Sequence, residues 1–163
     1  MNNNLKRTKL YEKHKELGAK IVDFAGWEMP VQYSNLIEEH LTVRNNVGIF
    51  DVSHMGTFKI SGIKSFDFLQ KMIPNDLNRI SKGKAIYTQF CKPDGTTIDD
   101  LIIYYLDDNL FYMIVNASNV EKDFNWLQNN IDNNVELENI SNKTAIIALQ
   151  GPRAEETLAK ISD

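Results

Sequence analysis

Two adjacent carboxylates, Asp99 and Asp100, open the apolar run Ile98 to Leu106. The run reads as a β-strand, in which neighbouring side chains point to opposite faces. Asp100, Ile102 and Tyr104 therefore share one face, and Asp99, Leu101, Ile103 and Tyr105 share the other. Both faces are apolar beyond the acids, as in an interior strand. Two readings of the pair stand. One is a carboxylate aimed into a partly desolvated pocket, where it could move a proton or stabilise developing charge. The other is a solvated pair supporting the turn at Pro93-Asp94-Gly95. A glycosidase constellation is excluded, because adjacent strand residues diverge and cannot flank one bond.

The remaining reactive side chains give weaker leads. His54 follows Ser53 directly, too close for a base to reach that hydroxyl in a defined geometry, so a partly buried histidine is expected there. His14 and His40 fall on expected helices without a ligand at i+4, so no zinc site and no other metal is expected. Gly151-Pro152 lacks the Lys-Ser/Thr that would complete a phosphate loop. Cys91 is the single cysteine and has no partner for a disulfide or a zinc knuckle. Tyr87, Tyr104, Tyr105 and Tyr112 lie on three strands that could neighbour one another. They either flank a flat heterocycle or serve as amphipathic core residues. Asn116 ends a strand, where it either contacts a ligand or closes a turn.

These residues sit in a chain of 163 residues, 42% hydrophobic and 25% charged, with net charge -4. That is the balance of an ordinary folded protein, and its sign argues against sequence-independent nucleic-acid binding. The polar start, Met1 to Lys9, is not a secretory signal. No apolar run reaches the ~18 residues of a membrane span. A cytoplasmic location is the resulting expectation.

The positioning elements follow from pattern. Leu10–Leu17 reads as a helix stopped by Gly18, and Lys20–Phe24 as a strand. Ala25 to Pro30 reads as a loop punctuated by Gly and Pro. Ser34 is expected to cap a helix reaching about Val47, with Leu36, His40, Val43 and Val47 as its stripe. Ile49–Ser53 is an apolar lead-in to His54-Met55-Gly56. Strands are expected at Thr57–Ser61, Ala85–Phe90, Ile98–Leu106, Leu110–Val115, Val135–Glu138 and Thr144–Leu149. Lys64–Met72 reads as a helix, and Asn75–Lys84 as polar loop. Ser118 and Glu121 read as a capping box for a helix with Val120, Phe124, Leu127 and Ile131 on one face. Pro152 is placed in the first turn of a last helix bearing Ala154, Leu158 and Ile161. From Thr57 the order is β-α-β-β-β-α-β-β-α. The strands come in hairpins, which predicts an α+β fold of antiparallel sheet with helices packed on one side.

Several segments together resemble a known family. They are Leu10 to His14, Val22 to Tyr33, Arg44 with Gly48 to Gly56, Gly83 to Tyr87, Ile98 to Ile102, Val115 to Ala117 with Glu121 to Asp123, and Ala148 to Pro152. In order and spacing they resemble the aminomethyltransferases, the T proteins of the glycine cleavage system. The likeness covers nearly the whole chain. It implies a multi-domain folate-binding fold in which residues 1–50 begin a discontinuous first domain. Residues 51–140 would form a second α+β domain and 141–163 a truncated return segment. The chain is thereby expected to be part of a longer polypeptide and inactive alone.

The implied activity is release of ammonia from the aminomethyl-lipoyl H protein, with the methylene passed to tetrahydrofolate to give 5,10-methylenetetrahydrofolate. The implied partners are the H protein and tetrahydrofolate. Asp100 matches the family's key acid, and Met55, Tyr87, Ile102, Tyr104 and Asn116 match positions at or near the folate. The family's further folate-binding acid and arginines would lie beyond Asp163. Two departures stand out: Lys9 replaces a usual proline, and Thr96-Thr97 replace a usual glycine and its neighbour after the turn. Two alternatives share the likeness, a related folate-dependent demethylase and a folate-binding accessory protein of iron–sulfur cluster assembly.

Overall fold

The computed structural model describes residues 5–162. In chain order the elements begin β1 (Lys6–Arg7), α1 (Tyr11–Glu16), β2 (Lys20–Phe24), β3 (Trp27–Gln32), α2 (Leu36–Asn45) and β4 (Gly48–Asp51). Next come β5 (Gly56–Ser61), α3 (Ser65–Met72), β6 (Lys84–Cys91), β7 (Thr97–Asp107), β8 (Leu110–Val115) and α4 (Val120–Asn129). β9 (Glu136–Asn139), β10 (Ile147–Gln150) and α5 (Ala154–Leu158) complete the order. The chain divides into two compact units: Met55–Thr144 is one, and the residues up to His54 with those from Ala145 onward are the other. Among the described residues no helix is long and apolar enough to cross a membrane.

The Met55–Thr144 unit is built on an antiparallel five-stranded sheet in the order β6-β7-β8-β5-β9. Strand alternation divides its faces. Phe90, Leu101, Ile103, Phe111, Met113, Val115, Phe58 and Ile60 point to one face, where α3 supplies Phe68, Leu69 and Met72 and α4 supplies Leu127. Each such side chain contributes roughly 1.5–3 kcal/mol of burial. The α+β class with helices on one side of an antiparallel sheet is what the alternating pattern and the hairpins require. Turns hold the register: Asn109 adopts φ 58° between β7 and β8, and Gly95 adopts φ 83° between β6 and β7. Thr96, one of the departures from the family pattern, donates its N–H to Asp94 Oδ1 at 2.9 Å, so the hairpin keeps its own turn.

The other unit holds a three-stranded sheet, β1-β3-β2, and the antiparallel pair β4-β10. β1 runs parallel to β3, the one parallel pairing among the described residues. α2 has no buried residue.

Several expectations are corrected. Ala25 to Pro30 is a loop only at Ala25 and Gly26, and β3 continues through Pro30. Proline is tolerated there because β1 pairs only with Trp27 and Glu28, leaving that side of Pro30 without a ladder, and because β2 shifts register at Lys20/Ile21. Asn35 rather than Ser34 caps α2, accepting from the N–H groups of Ile37 and Glu38 at 3.0 and 3.2 Å. Ser34 instead donates its N–H to Glu39 Oε1 at 2.6 Å. Ser118 and Glu121 form no capping box, because a 3₁₀ turn, Ala117–Asn119, leads into α4 and ties Asn119 N–H to Asn116 O at 2.9 Å. The polar loop Asn75–Lys84 contains a 3₁₀ turn, Leu77–Arg79, whose Leu77 is fully buried. Pro152 precedes α5 rather than starting it, and Leu158 and Ile161 are exposed.

Candidate active site

The strand β7 places Asp99 and Asp100 on opposite faces of the sheet, as alternation demands. Asp99 joins Leu101 and Ile103 on the core side and is 8% exposed. Asp100 joins Ile102 and Tyr104 on the other side and is exposed. Of the two readings of the pair, a partly desolvated pocket and a solvated pair, the Met55–Thr144 unit by itself supplies no enclosure around Asp100. Its carboxylate stands on an open sheet face, and the desolvated acid is its neighbour.

That open face is nonetheless organised around Asp100. Register sets Gln89 opposite Asp100 and Tyr87 opposite Ile102, so Tyr87 reaches Asp100 on the diagonal. The Tyr87 hydroxyl donates to Asp100 Oδ2 at 2.9 Å. The hydrogen bond to that carboxylate, reinforced by its charge, raises the phenol's pKa. Asn116 leaves the end of β8, where its Nδ2 donates to Asp100 Oδ1 at 3.3 Å and to Asp100 O at 3.1 Å. Both carboxylate oxygens are thus held, one by a phenol and one by an amide. Ile102 and Tyr104 border them on the same face, Ile102 half-buried and Tyr104 partly exposed. Met55 immediately precedes β5, whose Gly56 pairs with Val115, so Met55 and Asn116 end neighbouring strands. Asp100, Tyr87 and Asn116 are joined by hydrogen bonds. Ile102 and Tyr104 share their face, and Met55 stands at the adjoining strand end without a polar link to them.

Beneath this face lies a group that sequence reasoning missed. Asn116 Nδ2 also donates to Asp99 Oδ1 at 3.1 Å. Asp99 in turn faces the carboxyl of Asp123 of α4, which has no exposed surface. Burial, the hydrogen bond with Asp99 and the charge of Asp99 push the Asp123 carboxyl up to about 8. Burial also acts to raise Asp99, but hydrogen bonds from Asp123, Asn116 and Asn119 outweigh it and leave Asp99 below the ordinary carboxylate value. Lys122 anchors the start of α4 by donating to Ile98 O at 2.7 Å. The signal for Asp123 was present, since it lies three residues after Val120 and four before Leu127, on the buried stripe of the helix.

The motif around Asp51 has a separate role in the other unit. His14 Nε2 lies 2.9 Å from Asp51 Oδ2, and its Nδ1 lies 2.8 Å from the Tyr33 hydroxyl. Asp51 Oδ1 accepts from Ser53 N–H at 2.9 Å. Burial acts to raise Asp51, but hydrogen bonds from Ser53 and His14 help to outweigh it and keep the acid below its ordinary value. His54 stacks edge-on against Phe24, and burial lowers its pKa. Its Nδ1 is buried without a hydrogen-bond partner among the described residues.

Comparison with known proteins gives this geometry a context. An aminomethyltransferase of Natranaerobius thermophilus is 50% identical over 157 residues, covering 96% of this chain and 43% of that protein. One from Thermotoga maritima is 51% identical over 158 residues, again covering 96% and 43%. The crystal structure of the glycine cleavage system aminomethyltransferase T from Bartonella henselae matches with a TM-score of 0.90 at 34% identity, covering 96% of this chain and 44% of that one. The chain thus spans less than half the length of these relatives. The family described as "GCVT N-terminal domain" matches residues 10–163. On that match, with half-identical relatives along almost its whole length, the chain belongs to the GCVT N-terminal domain family.

Proposed function

We propose that this chain supplies the folate-facing acid of an aminomethyltransferase. The reaction takes the aminomethyl group from the lipoyl arm of the H protein, releases ammonia and forms 5,10-methylenetetrahydrofolate. Two C–N bonds to the folate form while the C–S and C–NH₂ bonds break. The two protons leaving the folate nitrogens end on ammonia and on the freed sulfur. The H protein and tetrahydrofolate are the partners, and a cytoplasmic location goes with them.

The observation that carries the reading is the Asp100 carboxylate, held on both oxygens beside Tyr87, Ile102 and Tyr104. The arrangement fits a flat heterocycle with N–H groups. Aromatic and branched side chains supply a stacking surface, and a fixed carboxylate accepts from a nitrogen. Tetrahydrofolate supplies the nucleophilic nitrogens and accepts the methylene. Asp100 orients the folate N–H and stabilises the positive charge that builds on the attacking nitrogen, without reorganising at that moment. It is also placed to take the proton. Asn116 and Tyr87 keep its oxygens aimed. Met55 borders the site as an adaptable apolar contact.

The test is Asp100→Asn in the complete gene product, which keeps size and removes charge. Folate-dependent ammonia release should fall at least ~100-fold. Asp99→Asn, on the core side and touching Asp100 only through Asn116, should cost much less than Asp100→Asn. Equal losses from the two substitutions would overturn the assignment.

A further inference from the structure

Three carboxylate oxygens in the Met55–Thr144 unit are buried without a hydrogen-bond partner among the described residues: Asp99 Oδ2, Asp123 Oδ1 and Asp123 Oδ2. Two ionised carboxylates side by side with that inventory would be strongly unfavourable, since each buried charge needs compensation. A single proton resolves it. A neutral Asp123 donates to Asp99, and Asp99 remains an ionised acceptor.

The state of Asp99 decides which way Asn116 faces. An amide presents donors on one side and an acceptor on the other. With Asp99 ionised, the Asn116 NH₂ turns toward it, and the same NH₂ then lies against Asp100 Oδ1 and Asp100 O. Were Asp99 a donor, the Asn116 oxygen would be drawn toward it and set against the Asp100 carboxylate.

We infer that Asp123 is a positioning residue for Asp100, its carboxylic proton fixing Asp99 as an acceptor and, through the Asn116 amide, the aim of the Asp100 carboxylate. This rests on Asp100 being the acid that meets the folate. The path runs from helix α4 through the sheet to its open face. The raised pKa of Asp123 and the lowered pKa of Asp99 agree with the placement of the proton. The charged groups acting on Asp123 are Asp99 and Asp100 of β7, which hold it up, and its helix neighbour Lys122, which pulls it down. When Asp123 ionises, Asp99 loses its donor and faces a second buried negative charge, so the carboxylate that anchors Asn116 is pushed from its place.

Two measurements test this. Carbon-13 NMR of the aspartate carboxyl groups in this chain should find Asp123 still protonated at about pH 6 and titrating near 8. In the complete gene product, kcat should decline as pH rises through that same region while KM for tetrahydrofolate holds. Asp123→Asn, a donor at every pH, should keep kcat at neutral pH and abolish the decline. Asp123→Leu should lower kcat by about tenfold or more, the scale of a displaced catalytic group. An ionised Asp123 at about pH 6, or an alkaline decline unchanged in Asp123→Asn, would overturn the inference even if Asp123→Leu did not fold. Full turnover by Asp100→Asn would instead sink the proposed function, and the NMR titration would still report on the pair.

Discussion

The buried proton on Asp123 has a consequence for stability that can be worked out in advance. In the unfolded chain this carboxyl titrates at its ordinary value of 3.8, and in the folded chain at about 8. Between those values the folded state holds one more proton than the unfolded state. Stability therefore falls as pH rises through the window and levels off above the folded value. The full slope is about 1.4 kcal/mol per pH unit, so from about pH 5 to about pH 8 the ceiling is roughly 4 kcal/mol. Sharing the proton with Asp99 brings the expected figure to about 2–4 kcal/mol. Asp99 itself is lowered, so its contribution is present above its unfolded value and is lost only as pH falls below it, outside this window. His54, whose pKa burial lowers, is the same in both proteins and cancels from the difference. The perturbation is Asp123→Asn, which keeps an N–H donor for Asp99 and carries no titrating proton. Urea unfolding of both chains at several pH values, followed through Trp126 fluorescence, gives the difference in stability. The variant should gain on the parent steadily as pH rises. A difference that stays constant from about pH 5 to about pH 8 would refute the shared proton, whatever its absolute size.

Two other substitutions test the frame around the site. Gly62 adopts φ +108°, and a Cβ there would lie 2.3 Å from Asn134 O, a backbone atom that cannot swing away. Gly62→Ala should cost about 3 kcal/mol or more in thermal unfolding. Gly18→Ala, at φ +76° but with nothing within 4 Å, should cost only about 1 kcal/mol. In the other unit, Asp51→Ala leaves a buried His14 without its acceptor and should destabilise by about 3 kcal/mol, read through Trp27 fluorescence. Because the Asp51 pKa is lowered, its contribution is complete above the unfolded value of 3.8 and is lost as pH falls below it. The gap between parent and Asp51→Ala should therefore narrow in acid, and a gap that holds constant would show that the Asp51 carboxylate was not its source.

Periodicity made part of this fold legible. The strict alternation along β7 separated Asp99 from Asp100, and the hairpin order from Ala85 to Val115 implied the antiparallel sheet. Punctuation by Gly and Pro was less informative, since Pro30 lies within β3 where one ladder is missing and the other shifts register. The stripe expected on α2 has no buried member, because an amphipathic pattern states that a face is apolar and not what covers it. The partners of Asp100 needed register as well as pattern. Tyr87 is directly opposite Ile102 and reaches the acid only along the diagonal, a relation no single segment encodes. Asp123 was overlooked although its helical position is a core position, because its residue type suggested solvent.

The neighbouring acids show why the site needs a polar group in the core at all. Alternation forces any residue before Asp100 on β7 to face the helices, so an acid at position 99 must be buried or replaced. A hydrophobic residue there would remove the burial problem but would leave Asn116 with no acceptor on the core side of its amide. Asn116 can bridge the two faces only because it sits just past the end of β8, where strand alternation no longer assigns its side chain to one side. A buried carboxylate is thus the condition for aiming the exposed one. The neutral Asp123 supplies the donor that lets that carboxylate stay ionised without a buried cation. Replacing Asp99 and Asp123 together by a well-packed apolar pair should therefore stabilise the fold, as removing buried charge often does, while loosening Asp100. Stability and turnover moving in opposite directions in that double variant would separate a group retained for positioning from one retained for folding.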